Sequence, residues 1–197
     1  MPKHNDPVAH LRRDLKFEAE LAGSHYRFST TWGLFSPRGV DNGSKLLLRH
    51  IKVPTEADCL DLGCGYGVLG VVLARLAPGG HTTLVDKDFV AVDYAQRNLT
   101  GNGLTNGEAL LSNGFDAILD RRFDVIVANL PAKVGKELLT IYLHDALTTL
   151  RPGGALWMVT VTGLRRFIER MSKEVFGDYD KVKQGPHYTV AVARKRG

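Results

Sequence analysis

The chain has 197 residues, of which 44% are hydrophobic and 24% are charged, and these values suit one globular domain with a single large core. No apolar run approaches the roughly 20 residues that span a bilayer, and residues 1–6 lack the apolar stretch of a secretion signal. The net charge of +5 arises in the last fifth of the chain, because residues 163–197 carry nine Lys/Arg against four Asp/Glu. We therefore expect a cytoplasmic protein without a membrane partner, whose basic end either attracts a phosphate-bearing partner such as RNA or is a solvated helix and tail.

The first predicted elements are a β-hairpin, an irregular loop and a helix. Lys16–Leu21 and His25–Thr30 alternate polar and apolar side chains, and the three residues 22–24 between them are typical of a turn. Residues 32–39 contain too much Gly and Pro for a regular element. A helix is predicted over Asp41–His50.

From residue 58 onward, apolar strands and amphipathic helices alternate along the chain. Strands are predicted at Asp58–Leu62, Thr82–Asp86, Ala109–Ser112, Asp124–Asn129 and Ala155–Val161. Helices are predicted at Val68–Leu76, Phe89–Asn102, Lys136–Leu150 and Leu164–Phe176, with a short helical turn at Phe115–Leu119. Two final strands, Tyr179–Lys183 and Tyr188–Ala193, are expected to run antiparallel because the turn between them is short. The pattern predicts an α/β fold with a mostly parallel sheet, helices on both faces, and ligands at the carboxyl ends of the strands.

The two cysteines, Cys59 and Cys64, lie close together around one predicted strand. This placement suits reduced, packed thiols in a cytosol better than a disulfide framework. Without a supporting cluster of His or Cys, the pair is also a poor zinc site, so no metal is predicted.

A glycine-rich loop connects the strand that ends at Leu62 to the next helix. Its glycines permit a tight turn and let a ligand approach the backbone, and the spacing Gly65-x-Gly67-x-x-Gly70 also fits a dinucleotide fingerprint. Two ligand chemistries therefore compete, a nicotinamide or flavin dinucleotide and S-adenosylmethionine.

Three polar residues at strand ends bear on that choice. Asp61 stands two positions before Gly63, where a carboxylate can meet the ammonium group of a bound amino acid but would repel a diphosphate. Asp86 ends the next strand and can accept hydrogen bonds from ribose hydroxyls, which both ligand classes carry. Asn113 can hydrogen-bond an adenine amine. The alternative roles are a strand-end cap for Asp61, a helix cap for Asp86 and a turn residue for Asn113.

A second loop follows the strand that ends at Asn129. Pro131 fixes its own backbone and holds Leu130 extended, so the Leu130 carbonyl and the Asn129 side-chain oxygen can both face a cleft. Two convergent acceptors suit an exocyclic amine on a planar base, because each N–H donates to one oxygen and the nitrogen lone pair is thereby aimed. The alternative is an ordinary turn at the end of a strand.

With these motifs the chain resembles the methyltransferase small domain family, which includes guanine-N2 methyltransferases of small-subunit ribosomal RNA. The resemblance extends from about residue 16 to residue 195 and is carried by Gly33-Leu34-Phe35-Ser36, by residues 40–48 and by residues 60–70. It implies a Rossmann-like class I methyltransferase fold with seven strands in the order 3-2-1-4-5-7-6, here preceded by a hairpin. We expect residues 1–39 to form an extension with the hairpin and a substrate-side loop, and residues 40–197 to form the methyltransferase domain.

The resemblance also implies the residues of the site. The expected cofactor is S-adenosylmethionine, and the predicted cofactor-binding residues are Asp61, Gly63, Cys64, Gly65, Gly67, Asp86, Lys87, Asn113, Gly114 and Asn129. The predicted catalytic residues are Asn129, Leu130 and Pro131. Phosphate or base contacts from the substrate are predicted at Phe35, Arg38, Lys133 and Lys136, although each basic side chain is equally well explained as a solvated surface residue.

One departure from the family pattern concerns the acceptor loop. The family motif is Asn-Pro-Pro followed by an aromatic or large apolar residue, whereas this chain has Asn129-Leu130-Pro131-Ala132. The aromatic surface for a target base is missing from the loop, and Phe35 or Trp32 can supply one instead. The functional expectation is methylation of the guanine amine of ribosomal RNA, free or in the small subunit. A protein-amide or small-molecule acceptor, a nicotinamide oxidoreductase and a non-catalytic RNA-binding protein remain as alternatives, and the sequence does not indicate the oligomeric state.

Overall fold

A seven-stranded sheet forms the centre of the structure, a computed structural model that describes residues 13–197. The expectation that residues 1–6 carry no secretion signal concerns a segment outside the described residues. The strands are β1 (Leu15–Leu21), β2 (Ser24–Thr30), β3 (Cys59–Leu62), β4 (Thr82–Asp86), β5 (Gly107–Leu111), β6 (Phe123–Asn129), β7 (Leu150–Val161), β8 (Asp180–Gln184) and β9 (Tyr188–Arg194). The helices are α1 (Asn42–Leu48), α2 (Val68–Leu76), α3 (Phe89–Gly101), α4 (Lys136–Thr149) and α5 (Arg165–Phe176), with a 3₁₀ turn at Thr162–Leu164.

The order of strands in the sheet is β5-β4-β3-β6-β7-β9-β8. Strands β3 to β7 are parallel, and β9 runs antiparallel to both β7 and β8. Counted from β3, this is the order 3-2-1-4-5-7-6, so the predicted Rossmann-like methyltransferase topology is confirmed. Because the strand order reverses direction between the neighbouring strands β3 and β6, their carboxyl ends open a crevice that suits a ligand.

Alternate side chains along the strands supply two separate cores, one on each face of the sheet. On one face, Val125 and Val127 of β6 pack in the core that contains α1, α2 and α3. On the other face, Ile126 and Ala128 pack in the core that contains α4 and α5. This period-two alternation between two covered faces explains why the strand sequences read as continuous apolar runs.

The hairpin of β1 and β2 is part of the first core. Ala22 and Gly23 both have positive φ, which gives the two-residue turn that favours a tight hairpin. Tyr26 and Phe28 are buried in the same cluster as α2 and α3. The side chain of Asn98 on α3 bonds the backbone N–H and carbonyl of Ser29, at 2.7 and 2.8 Å, and so fixes the hairpin against the helix. The division into an extension and a domain at residue 39 stays a prediction.

Two predicted elements differ from the structure. Strand β7 begins at Leu150 instead of Ala155, because residues 153 and 154 do not end the strand but exchange backbone hydrogen bonds with Lys195. The segment Phe115–Leu119 forms consecutive turns instead of a helical turn, with an Ile118 N–H···O hydrogen bond to Phe115 of 2.8 Å. Burial of the Phe115 and Ile118 side chains in the second core fixes this segment without a regular helix.

Candidate active site

A cleft of about 740 Å³ lies at the carboxyl edge of the parallel strands, a size typical of small-ligand sites. It brings together most of the predicted site residues, namely Phe35, Asp61, Gly63, Cys64, Gly65, Asp86, Lys87, Asn113, Gly114, Asn129, Leu130, Pro131 and Lys133. Gly67, Arg38 and Lys136 are not among the residues that line it. Gly67 precedes α2 with φ of +89°, and a Cβ there would lie 3.1 Å from Ala95, so this glycine permits close packing of α2 on α3.

Asp61 is the most deeply buried charged residue of the cleft, with a relative exposure of 1%. Its Oδ2 accepts a hydrogen bond of 2.7 Å from the N–H of Gly70 in the first turn of α2. Burial, with a smaller contribution from Asp86, raises the pKa of the Asp61 carboxyl from 3.8 to about 7. No described Lys, Arg or His forms an ion pair with it, so a cation from a ligand would relieve the burial cost.

The glycine loop uses its N–H groups internally. Gly63 and Cys64 donate to the carbonyl of Val85, and Gly65 donates to Asp86 Oδ2 at 2.8 Å. This arrangement takes the N–H groups of Gly63, Cys64 and Gly65 away from a diphosphate, and the Asp61 carboxylate at the start of α2 places a negative charge beside it. A dinucleotide is therefore a poor match for the loop.

The loop nevertheless leaves room for a ligand beside its backbone. Gly63 and Gly65 have φ of +72° and +55°, and a Cβ at either position would meet no atom within 4 Å. Asp86 accepts one backbone N–H on each carboxylate oxygen, from Gly65 and from Asp88 at 3.0 Å. Since a carboxylate oxygen can accept two hydrogen bonds, each retains one acceptor position for a ribose hydroxyl.

Asn129 is held by Asp41, which caps the N-terminus of α1, and by Ser44 of α1, which lie 88 and 85 positions earlier in the chain. Its Nδ2 donates to Asp41 Oδ1 at 3.2 Å and to Ser44 Oγ at 3.1 Å. Because both amide hydrogens are engaged, the Asn129 Oδ1 is directed away from α1 and is free to accept. The neighbouring Leu130 N–H donates to Val159 at 2.9 Å, while its carbonyl accepts no hydrogen bond from any described residue. Two free acceptors thus follow one another at the end of β6.

Comparison with known proteins decides the family. The model of the methyltransferase small domain matches residues 25–192. The chain belongs to the methyltransferase small domain family. A related family protein, ribosomal RNA small subunit methyltransferase C of Citrobacter koseri, is 33% identical over 189 residues, which cover 91% of this chain and 54% of the relative. The protein YbxB of Bacillus subtilis is 30% identical over 179 residues, which cover 89% of each chain.

A solved structure with a similar fold is that of the Thermus thermophilus 16S rRNA N2 G1207 methyltransferase in complex with AdoMet and guanosine. It is 34% identical, with a TM-score of 0.84, and the match covers 93% of this chain and 51% of that chain. A methyltransferase from Pyrococcus furiosus has the same fold at 21% identity and a TM-score of 0.67. The chain spans about half the length of the curated ribosomal RNA methyltransferases that it matches.

The departure from the methyltransferase small domain motif has a structural explanation at one of its two positions. The Leu130 side chain is buried in the core under α4 and α5, where it fills space as an apolar residue. Ala132 is exposed at the cleft and offers no ring for stacking. Phe35, with a relative exposure of 67%, does line the cleft, whereas Trp32 is exposed but does not line it.

Some residues in or beside the cleft were not predicted as site residues from the chemistry of their side chains. Asp41 and Ser44 entered only as part of a family motif, although they orient Asn129. The Tyr66 hydroxyl donates to the backbone carbonyls of Ser36 and Gly39, at 3.3 and 3.2 Å, and so positions the loop that carries Phe35. Tyr188 of β9 lines the cleft. These contacts join distant segments, and only the Val-Asp-x-Gly-Ser pattern at residues 40–44 gave a signal in the sequence.

Two further features are absent from residues 13–197. No group of three or more His, Cys, Asp or Glu is arranged to hold a metal ion. None of the described helices is both long and apolar enough to cross a membrane.

Proposed function

We propose that the chain is an S-adenosylmethionine-dependent methyltransferase that acts in the cytoplasm on the exocyclic N2 amine of a guanine in small-subunit ribosomal RNA. The observation that carries the proposal is the presence, in one cleft, of a buried carboxylate without a cation and a pair of free acceptors at Asn129 and Leu130. The named relatives support the same reaction, since two of them are ribosomal RNA methyltransferases and one was solved with AdoMet and guanosine.

The described residues fit S-adenosylmethionine from one end to the other. Asp61 would hold the ammonium group, since a cation would offset the burial that raises the pKa of its carboxyl to about 7. The free backbone faces of Gly63 and Gly65 would admit the amino-acid part, and Asp86 would accept hydrogen bonds from the ribose hydroxyls. Asn113 lies at the cleft with its side-chain oxygen free to accept from the adenine amine. When bound, S-adenosylmethionine supplies a methyl group on a positively charged sulfur.

The acceptor loop would then orient the nucleophile. The Asn129 Oδ1 and the Leu130 carbonyl each accept one N–H of the guanine amine, which aims the nitrogen lone pair toward the cofactor end of the cleft. Asp41 and Ser44 keep the Asn129 amide in the required orientation. A strong base is not needed, because the methylated nitrogen is acidic enough to lose its proton to water. The target base must leave any stacked helix to reach Asn129.

Parallel calorimetric titrations test the cofactor part of the proposal. S-adenosylhomocysteine is expected to bind with a roughly micromolar dissociation constant, whereas NADH is expected to show no binding at the same concentrations. Binding of NADH in preference to S-adenosylhomocysteine would replace the proposal with an oxidoreductase.

Transfer of tritiated methyl groups tests the acceptor part. Undermodified ribosomal RNA and total protein from the same lysate are incubated with the enzyme, and each sample is divided for treatment with RNase. Label that RNase removes supports the RNA acceptor. Label that survives RNase indicates a protein amide, and cofactor binding without any transfer indicates a non-catalytic RNA-binding protein.

A further inference from the structure

Cations from two helices surround one aromatic ring beside the cleft. The Lys136 Nζ lies 5.6 Å from the centre of the Phe167 ring, and the Arg170 guanidinium carbon lies 6.0 Å from the same centre. Lys136 begins α4, directly after the acceptor loop at the cleft. Phe167 and Arg170 lie near the start of α5, which follows β7 after the 3₁₀ turn, and Val161 at the end of β7 lines the cleft. The ring therefore marks an extension of the cleft edge onto α4 and α5.

These cations have no acidic partner among the described residues. Lys136, Arg166 and Arg170 are exposed, and none of them lies within 4.0 Å of a carboxylate in residues 13–197. Arg166 and Arg170 are one helical turn apart, where like charges disfavour the helix. On the same helix Glu169 is engaged elsewhere, since it pairs with Lys173 at 2.7 Å. The surface thus concentrates positive charge that the described part of the protein does not neutralise.

Not all arginines on the protein surface are unpaired in this way. Several of them form ion pairs within the fold, namely Arg27 with Glu18, Arg97 with Asp14, Arg121 with Glu108, and Arg151 with Asp58 and Asp124. The cations at Phe167 have no such carboxylate partner among residues 13–197, so they are available to an external anion. We call Lys136, Arg166, Phe167 and Arg170 the α4–α5 basic surface.

We propose that the α4–α5 basic surface binds the sugar-phosphate backbone of RNA next to the target nucleotide, an inference that rests on the proposed function. A base held at Asn129 remains covalently joined to its neighbours, so the adjoining phosphates must pass the edge of the cleft. The basic surface lies beyond that edge on the side of the acceptor loop, since Lys133 lines the cleft and Lys136 follows it three residues later in the chain. Spaced cations around a partly buried ring suit phosphates and an adjacent base better than a single carboxylate.

The test is a triple variant, Lys136→Ala/Arg166→Ala/Arg170→Ala, with a control variant that changes the charge equally. The control is Lys52→Ala/Arg122→Ala/Arg196→Ala, which removes three exposed cations. These residues lie before β3, before β6 and after β9, at the amino ends of the parallel strands and so on the side of the sheet opposite the cleft. Binding of a short fluorescein-labelled single-stranded RNA is measured by anisotropy at several salt concentrations. Titration with S-adenosylhomocysteine and methyl transfer to free guanosine serve as readouts that do not involve the backbone.

The triple variant loses three cations, and each contact between a cation and a phosphate of a single strand contributes about 0.7 to the slope of log affinity against log salt. It is therefore expected to bind RNA about 100-fold more weakly than the wild type near 0.1 M salt. That slope should decrease by about 2, while S-adenosylhomocysteine binding and transfer to guanosine stay unchanged. The control variant should retain RNA binding within a few-fold of the wild type.

Equal weakening in the two variants would overturn the basic surface as a specific site, because net charge alone would then explain RNA binding. Displacement of the RNA by polyglutamate of the same charge would also overturn it, in favour of an acidic protein partner. These outcomes differ from failure of the proposed function, which would appear in the wild type as no binding of S-adenosylhomocysteine and no transfer to guanosine or RNA.

Discussion

At the scale of single residues, Asp61 carries a charge that the ligand-free protein does not compensate. We expect Asp61→Asn to stabilise the ligand-free protein above neutral pH, because the amide oxygen can still accept from Gly70 and no charge is buried. The pKa of about 7 in the folded protein lies above the value of 3.8. Between about pH 4 and pH 7 the Asp61 carboxyl is therefore protonated in the folded state and ionised in the unfolded state. The free energy of unfolding of the wild type falls as pH rises through this range.

Denaturant unfolding of both proteins between pH 5 and pH 8 measures this effect. The free energy of unfolding of the variant should exceed that of the wild type by an amount that grows by about 1.4 kcal/mol per pH unit up to pH 7, and that reaches at most about 4 kcal/mol. Asp120→Asn, at an exposed position, is the control and should show no such trend. A difference that does not change with pH would contradict the assignment of a buried, uncompensated carboxylate.

The same substitution is expected to weaken the binding of S-adenosylhomocysteine by roughly 10- to 100-fold, since a hydrogen bond to a charged group contributes about 1.5–3 kcal/mol. In the wild type, an ammonium ligand should bind the ionised carboxylate, so binding releases protons below pH 7 and becomes tighter as pH rises toward 7. Calorimetry in two buffers with different ionisation enthalpies reports this proton release. An affinity that is independent of pH would place the ammonium group away from Asp61.

A further prediction at this scale concerns the orientation of Asn129. Ser44→Ala removes one of the two acceptors of its amide and should lower kcat about two- to tenfold, without changing the affinity for S-adenosylhomocysteine. Ser172→Ala is the matched control, because Ser172 is also buried and its hydroxyl makes no hydrogen bond within the described chain. Parallel losses of kcat, ligand affinity and stability in Ser44→Ala would indicate a structural role alone.

The sequence predicted the residues at the strand ends of the candidate site, but not the residues to which they are hydrogen-bonded. Asp61, Asp86 and Asn129 could be placed in one candidate site because parallel strands have their carboxyl ends at one edge of the sheet. The hydrogen bonds from Asn129 to Asp41 and Ser44 join segments far apart in the chain, and no local pattern encodes them. Nor did the sequence reveal that Asp61 accepts a hydrogen bond from the N–H of Gly70 in the first turn of α2.

At the scale of elements, the packing of α2 on the sheet depends on Gly70. A Cβ at this position would lie 2.3 Å from Leu84 Cγ, so Gly70→Ala should destabilise the fold by about 1–3 kcal/mol. Gly101→Ala at the end of α3 is the control, because a Cβ there meets no atom within 4 Å and alanine favours the helix by up to about 1 kcal/mol. Urea unfolding of both variants checks the opposite signs, and equal effects would contradict this packing.

The periodicity of the sequence predicted the helices and strands to within a few residues, because each helix and parallel strand shows its own apolar pattern. The exceptions are segments where distant contacts override local signals. Strand β7 continues through Pro152, Gly153 and Gly154 because residues 153 and 154 bond to Lys195. Residues 115–119 remain turns because the second core, and not a helical hydrogen-bond pattern, holds Phe115 and Ile118.

At the scale of the whole molecule, the hairpin and the sheet share a core. Tyr26 and Phe28 are buried among residues of α2 and α3, and burial of each large side chain contributes about 1.5–3 kcal/mol. We expect one cooperative thermal transition with equal calorimetric and van't Hoff enthalpies. A shortened chain that starts at residue 40 should lose this transition or melt at a markedly lower temperature. Two transitions, or an unchanged melting temperature after removal of residues 1–39, would show that the hairpin folds independently.

Nucleoside mass spectrometry tests the central claim most directly. Undermodified small-subunit ribosomal RNA is incubated with S-adenosylmethionine that carries a deuterated methyl group, then digested and separated. The wild type is expected to produce labelled N2-methylguanosine, and Asn129→Ala, which lacks one of the two acceptors, is expected to produce roughly 100- to 1,000-fold less. Label on another nucleoside, no label at all, or equal product from Asn129→Ala would contradict the account.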